Sequence, residues 1–467
     1  MQTKNNYRPV VHFTPPANWM NDPNGMVYAN GRYHLFYQYY PAAPYWGPMH
    51  WGHAVTRDLL HWEHLPTALY PDELGCIFSG SCVLDKENLS GFGSLENPPM
   101  IAVYTSHNTT THLEQQSIAY SLDYEHFEKY YGNPIIANEG QPDFRDPKVF
   151  WNPIKQCYSL VLAAGKNVEF YSSRNLKDWE KTGEFQAGIH GLGGICECPD
   201  CFPLQTEDGE KWVLIISMIL PPEETGKENN AFDRMSHITQ YYVGSFDGNT
   251  FIDTEKSDIP LLPDFGTDNY AAVTFQNLDE KVMIGWADNW DYAAQAPTAD
   301  SGFRGKMTLA REMKLVKTEQ GYRLSFSFKG TEALEAVSFP LAQGDNRLHS
   351  DTFGLKAAVK GTGKIVFRNS SGEFVEITVT EEEITVDRRH AGQSSFQQDY
   401  EKESYGLNRA PRQLRDSSEI EIIFDKCILE VLADNGLTPF TVSVFPLQPY
   451  EKIGVTGDIQ AKLFYLC

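Results

Sequence analysis

Five short apolar runs recur along the first two thirds of the chain: YHLFYQYY (33–40), MIAVYTSH (100–107), CYSLVLAAG (157–165), KWVLIISM (211–218) and KVMIGWAD (281–288). Each is bounded by turn formers and rich in aliphatic and aromatic residues, the pattern of a buried strand. A second element keeps step with them: a small residue or Thr, any residue, Asp or Asn, three further residues, then an aromatic. TRDLLHW (56–62), SLDYEHF (121–127), SRNLKDW (173–179) and SFDGNTF (245–251) carry it, and each predicts an Asp- or Asn-containing turn after a strand. The apolar runs start 67, 57, 54 and 70 residues apart, room for about four short strands each. Two signals in one register predict a five-bladed β-propeller. From about residue 330 the pattern changes: KIVFRN, EFVEITV, EITVDRR, EIEIIFD, CILEVLA and FTVSVFPL alternate apolar with polar. That is how an antiparallel sandwich reads when each sheet has one wet face. The expectation is an all-β chain with a propeller over 1–315, a linker over 316–329 and a β-sandwich over 330–467.

A length of 467 residues agrees with two domains. The 62 acidic residues against 39 basic ones give a formal charge of -23, which repels phosphate backbones and anionic headgroups. Neither nucleic acid nor membrane is an expected partner. The opening MQTKNNYRPVVHF lacks a basic region followed by an apolar run, and no segment approaches eighteen apolar residues. Eight cysteines in a chain too long to need staples point to a reducing compartment, so a cytoplasmic protein, or else a trimmed mature form, is expected. Aromatics at 13% suit the stacking of sugar rings as well as a β-rich core.

The innermost strand of each blade should precede the apolar run and line the central channel. Three acids fall in that slot: Asp22 eleven residues before Tyr33, Asp146 twelve before Tyr158 and Glu197 fourteen before Lys211. Each lies close to a proline, which stiffens the backbone beneath the carboxyl. Paired carboxyls cleave glycosidic bonds, one attacking or activating the nucleophile and the other protonating the leaving oxygen. Cys196, Cys198 and Cys201 look like the start of a zinc site, but no second CxxC or HxxxH pair exists to complete it. They are read instead as small residues packed beside Glu197, in an apolar setting that raises a general acid's pKa. His50, His53, His61 and His64, interleaved with Trp46, Trp51 and Trp62, are read as packing and sugar contacts. No metal and no cofactor is expected.

NWMNDPNG (18–25), FSGS (78–81), FRDP (144–147) and ECPD (197–200) stand in the order and spacing of glycoside hydrolase family 32, the invertases, inulinases, levanases and sucrose-6-phosphate hydrolases. The resemblance runs from His12 to about Arg311 and more loosely to the end. It implies a propeller joined to a sandwich that often helps form dimers. By matching motif, Asp22 resembles the nucleophile, Glu197 the acid/base and Asp146 the transition-state stabiliser. Asn21, Gln38, Trp46, Phe78, Ser79 and Arg145 resemble residues that hold a terminal fructose; Asp268, Tyr270, Trp286 and Trp290 look like further rim or pocket positions. Cys201 departs from the pattern, where an aliphatic residue is usual. The resemblance implies a retaining, exo-acting β-fructofuranosidase. Within the family, the segments around 45–62 and 285–312 look more like fructan-degrading enzymes than sucrose-6-phosphate hydrolases. A fructosyltransferase would use the same acids. A non-catalytic sugar-binding propeller would lack one, and all three are present.

Overall fold

A computed structural model describes residues 6–188, 193–221, 236–257, 259–414 and 417–466; Cys467 lies outside them. Five antiparallel sheets form the blades of a propeller. Blade 1 runs through Asn18–Ala29, Arg32–Tyr40, His50–Thr56 and Glu63–Leu69. Blade 2 comprises Cys76–Leu84, Met100–His107, Glu114–Ser121 and Glu128–Lys129. Phe144–Asn152, Cys157–Ala164, Asn167–Ser173 and Glu180–Gln186 make blade 3. Ile195–Thr206, Gly209–Ile219, His237–Phe246 and Phe251–Asp253 make blade 4. In blade 5, Tyr270–Thr274 and Val282–Trp286 are followed by Arg311–Thr318 and Gly321–Phe328.

The five apolar runs are the second strands, walled in on both sides by their neighbours. The recurrent Asp or Asn follows each third strand of blades 1 to 4. There the Oδ1 atoms of Asp58, Asp123, Asn175 and Asp247 each accept backbone N–H bonds from the residues two and three further on. These side chains cap the turn into the outermost strand. The ring closes where Asn18 and Trp19 pair in parallel with Phe303 and Arg304, and Val27 bridges Gln276.

One boundary differs from expectation. Residues 316–329 are not a linker: they hold the end of one strand, a hairpin turn and the outermost strand of blade 5. Met313, Leu315, Tyr322, Leu324, Phe326 and Phe328 face one buried cluster, and their alternation is indistinguishable in sequence from the sandwich strands that follow.

The C-terminal domain is a ten-stranded sheet folded over on itself. The long strand Thr352–Arg368 pairs with Lys452–Tyr465 along most of its length, with Ser418–Asp425 over its first half and with Phe374–Val379 over its second. A register break between Val359 and Gly363 bends the ribbon, and Phe353, Phe367, Phe424 and Val442 lie in the enclosed core. Against the propeller, buried Arg311 donates to Asp264 at 2.7 Å, to Glu430 at 2.9 Å and to Thr441 at 2.6 Å. His12 is held between Asp425 and Glu430, 2.9 Å from each. Leu309, Ile423, Leu432 and Phe464 surround this polar knot with apolar contacts shared by both domains.

Candidate active site

Every inner strand breaks its register at one height. Asn21 and Asp22 are left facing Gln38 alone, Phe78 and Ser79 face Thr105, and Asp146 and Pro147 face Leu162. Cys198 and Pro199 face Ile216, and Ala271 and Ala272 face Gly285. A bulge of two residues against one bends the strand and re-aims the side chains beside it. Asp146, Cys198 and Ala271 take left-handed φ values of 63°, 45° and 53° to achieve this, a conformation non-glycine residues adopt at a cost of about 1–2 kcal/mol. Five bulges at one height turn a ring of strand ends into a pocket of ≈ 280 Å³. It is lined by Asn21, Asp22, Gln38, Trp46, Phe78, Ser79, Glu114, Arg145, Asp146, Glu197 and Trp290. Beneath it, buried Lys148 donates to the Thr274 carbonyl at 2.5 Å and lies 3.1 Å from Asp200, tying the inner strands of blades 3, 4 and 5 together.

The acids arrive from three blades. Ser79 donates to Asp22 Oδ2 at 2.6 Å, whereas Asp22 Oδ1 is buried with no partner among the described residues. Asp146 accepts the Cys198 backbone N–H at 3.0 Å, and the Cys198 Sγ lies 3.6 Å from both Asp22 and Asp146. Glu197 accepts from Arg145 Nη2 at 3.0 Å and from the Tyr270 hydroxyl at 2.5 Å. Arg145 in turn donates to Asp143 at 2.7 Å and to Glu114 at 3.3 Å.

Electrostatics follow from three carboxyls sharing one guanidinium. Burial pushes the Asp22 carboxyl up; the Ser79 hydroxyl pulls it part of the way back, and neighbouring Glu197 pushes it up again. Burial takes Asp146 up to about 8, with Arg145 opposing and the charges of Glu197 and Asp22 adding. Burial and the closeness of like charges thus act in one direction on both aspartates, raising each.

Two residues expected at the rim are elsewhere. Asp268 is buried at the propeller–sandwich junction, where it accepts from the Tyr292 hydroxyl at 2.5 Å and from the Ser443 backbone at 2.8 Å. Trp286 is fully buried behind the pocket, packed on Trp19 and Trp290. Tyr270 and Trp286 pair directly across the first two strands of blade 5, but the Tyr270 hydroxyl reaches Glu197 whereas Trp286 is covered by Trp19 and Trp290. Two others escaped the sequence reading. Glu114 opens a third strand, where no marker drew attention, yet it lines the pocket and also lies 3.3 Å from His107, which stacks flat on Phe78. Cys198, read as packing beside Glu197, instead touches both aspartates. Cys196 and Cys201 point away into a separate core cluster.

Residues 12–325 match the N-terminal domain of glycosyl hydrolases family 32, and residues 295–461 match that family's C-terminal domain. The chain is 38% identical to a levanase of Bacillus subtilis over 98% of its own length and 69% of that protein. It is 32% identical to an extracellular exo-inulinase of Aspergillus awamori, over 98% and 94% of the two chains. That relative's description lends no support to a cytoplasmic location. A crystal structure of exo-inulinase from Aspergillus awamori superimposes with a TM-score of 0.87 at 31% identity, covering 100% of this chain and 99% of that one. With the acids gathered in one pocket, the fold matched end to end and both domains recognised, the chain belongs to glycoside hydrolase family 32.

Proposed function

We propose that the protein is a retaining, exo-acting β-fructofuranosidase that hydrolyses terminal β-D-fructosyl residues of fructans, fructo-oligosaccharides and sucrose. The observation that carries this reading is the unpartnered Asp22 Oδ1, set in a small pocket opposite a Glu197 held by a cation and a phenol. At ≈ 280 Å³ the pocket falls below the about 300–1,000 Å³ of sites for drug-sized ligands, so it suits one sugar ring. A pocket that takes one ring, rather than a groove along several, favours attack on chain ends.

In this scheme Asp22 Oδ1 bonds to the anomeric C2 of fructose as the bond to the leaving oxygen breaks, and Glu197 supplies that oxygen's proton. A water then gives a proton to Glu197 and its oxygen to C2, releasing Asp22 and free fructose. Asp146 stabilises the flattened, cationic ring in the transition state of each step.

Phosphate recognition needs an uncommitted basic group. Among the described residues Arg145 is the one basic side chain lining the pocket, and it is engaged by Asp143, Glu114 and Glu197. At the rim Arg304 is spent on the carbonyls of Pro44, at 2.6 Å, and Ala296. Unphosphorylated sugars are therefore the better fit. The test compares kcat/KM for sucrose, sucrose 6-phosphate, kestose, inulin and levan while chromatography and anomer-resolved NMR follow the products. Free β-fructose released from the first turnovers is expected. A preference of about tenfold or more for the phosphorylated sugar, early internal oligosaccharides, or α-fructose as first product would overturn substrate class, exo action or retention respectively.

A further inference from the structure

Of the nine tryptophans, seven are buried or half-buried, and only Trp46 and Trp151 are exposed, at 46% and 41%. Trp46 lines the pocket just described. Trp151 lines another, of ≈ 440 Å³, at the opposite mouth of the propeller channel. The inner strands connect the two. Phe144–Asn152 carries Asp146 near one end and Trp151 near the other, a run of five residues or about 16 Å. Cys76–Leu84 begins beside Phe78 and ends at Leu84, and Tyr270–Thr274 begins at Tyr270 and leads to Gln276; Leu84 and Gln276 both line the second pocket.

The composition of this mouth is that of a sugar platform. Trp151 is fixed edge-on by Tyr158, ring centroids 5.3 Å apart at 84°, and Tyr158 is anchored through its hydroxyl to Asp85 at 3.2 Å. Around it, the side chains of Lys86, Glu87 and Gln276 line the pocket, and no hydrogen bond or ion pair engages them among the described residues. An aromatic face rimmed by unengaged donors and acceptors holds a polyhydroxylated ring by stacking and hydroxyl bonds. One cation and one carboxylate cancel, which fits a neutral ligand.

We propose that the far mouth of the channel is a second, non-catalytic carbohydrate site that holds a neutral fructosyl chain against Trp151. That its occupant is a fructan rests on the activity proposed above; that it is a sugar site does not. Such a site keeps a polymer on the protein between cleavages, so it acts on long substrates and leaves short ones alone.

The test is affinity electrophoresis through gels containing inulin, levan or, as control, amylose, with Asp22→Asn present throughout so that nothing is digested. Adding Trp151→Ala should weaken retardation in a fructan gel about tenfold, and adding Gln276→Ala, which leaves the aromatic packing intact, should weaken it in the same direction. In the active enzyme, Trp151→Ala should leave kcat/KM for kestose within about twofold while lowering it for the polymer. Equal retardation of all three proteins overturns the site. So does a parallel loss on kestose, or a change of oligomeric state without a change in retardation, which would assign Trp151 to a protein contact. Retardation by amylose alone overturns the fructan assignment. Trp151-dependent retardation in fructan gels from a protein with no fructanase activity would retain the site and remove the proposed activity.

Discussion

Asp146 is an expensive residue to keep. It sits buried at a φ of 63° with its carboxyl pushed up to about 8 by burial, against the pull of Arg145. A carboxyl raised in the folded state keeps a proton that the unfolded chain has released, so from about pH 4 to about pH 8 it draws stability down as pH rises. Asp146→Asn removes that slope. Its melting temperature should therefore gain on the wild type progressively between pH 4 and pH 8, while turnover collapses; a pH-independent offset would contradict the charge argument. The other two acids are expected to act differently. Asp22→Asn and Glu197→Gln should fold normally and lose about three or more orders of magnitude in kcat, since attack and protonation have no substitute. A variant that kept a tenth of the rate in steady-state assays would remove its residue from the mechanism.

Strands and turns divide the labour between stability and chemistry. The Asx turns lie on the outer side of the blades, far from the pocket, and serve folding alone. Asp123→Ala, which strips two backbone N–H groups and His126 of their acceptor, should cost about 1 kcal/mol in denaturant unfolding with activity per folded molecule unchanged. These turns were legible in the sequence because a fixed side chain at a fixed offset makes them, and the second strands were legible because burial on both faces demands an apolar run. The bulges were not: an extra residue breaks the alternation by which strands are recognised. The three acids were still found, because their chain offset from the second strand survives the bulge. Which side chains reach the pocket is not legible in the same way: Tyr270 and Trp286 pair directly across two strands, yet of the two only Tyr270 reaches Glu197. Glu114 could have been noticed only by extending the same offset argument to the first residue of a third strand.

Across the whole molecule, propeller and sandwich share one apolar cluster and one buried ionic knot, so they should unfold in a single calorimetric transition. Glu430 accepts from Arg311, His12 and the backbone of Leu309; Glu430→Gln removes one of the two buried carboxylates that each of these cations faces and should lower stability by roughly 3 kcal/mol. Burial depresses the His12 imidazole, but its bonds to Asp425 and Glu430 win and raise it to about 8. The folded value lies above the ordinary 6.5, so this stabilisation is complete below about pH 6.5 and fades as pH rises through about 8. Melting scans of wild type and His12→Gln should converge over that interval. The parallel pairing of Asn18 and Trp19 with Phe303 and Arg304 closes the ring. During synthesis Asp22 leaves the ribosome early and Glu197 some 175 residues later, and the first blade is locked to the last only when the strand near residue 303 arrives. A nascent chain interrupted before that point carries every reacting group and still has no enzyme to offer, so the first hydrolytic turnover marks the moment the circle is complete.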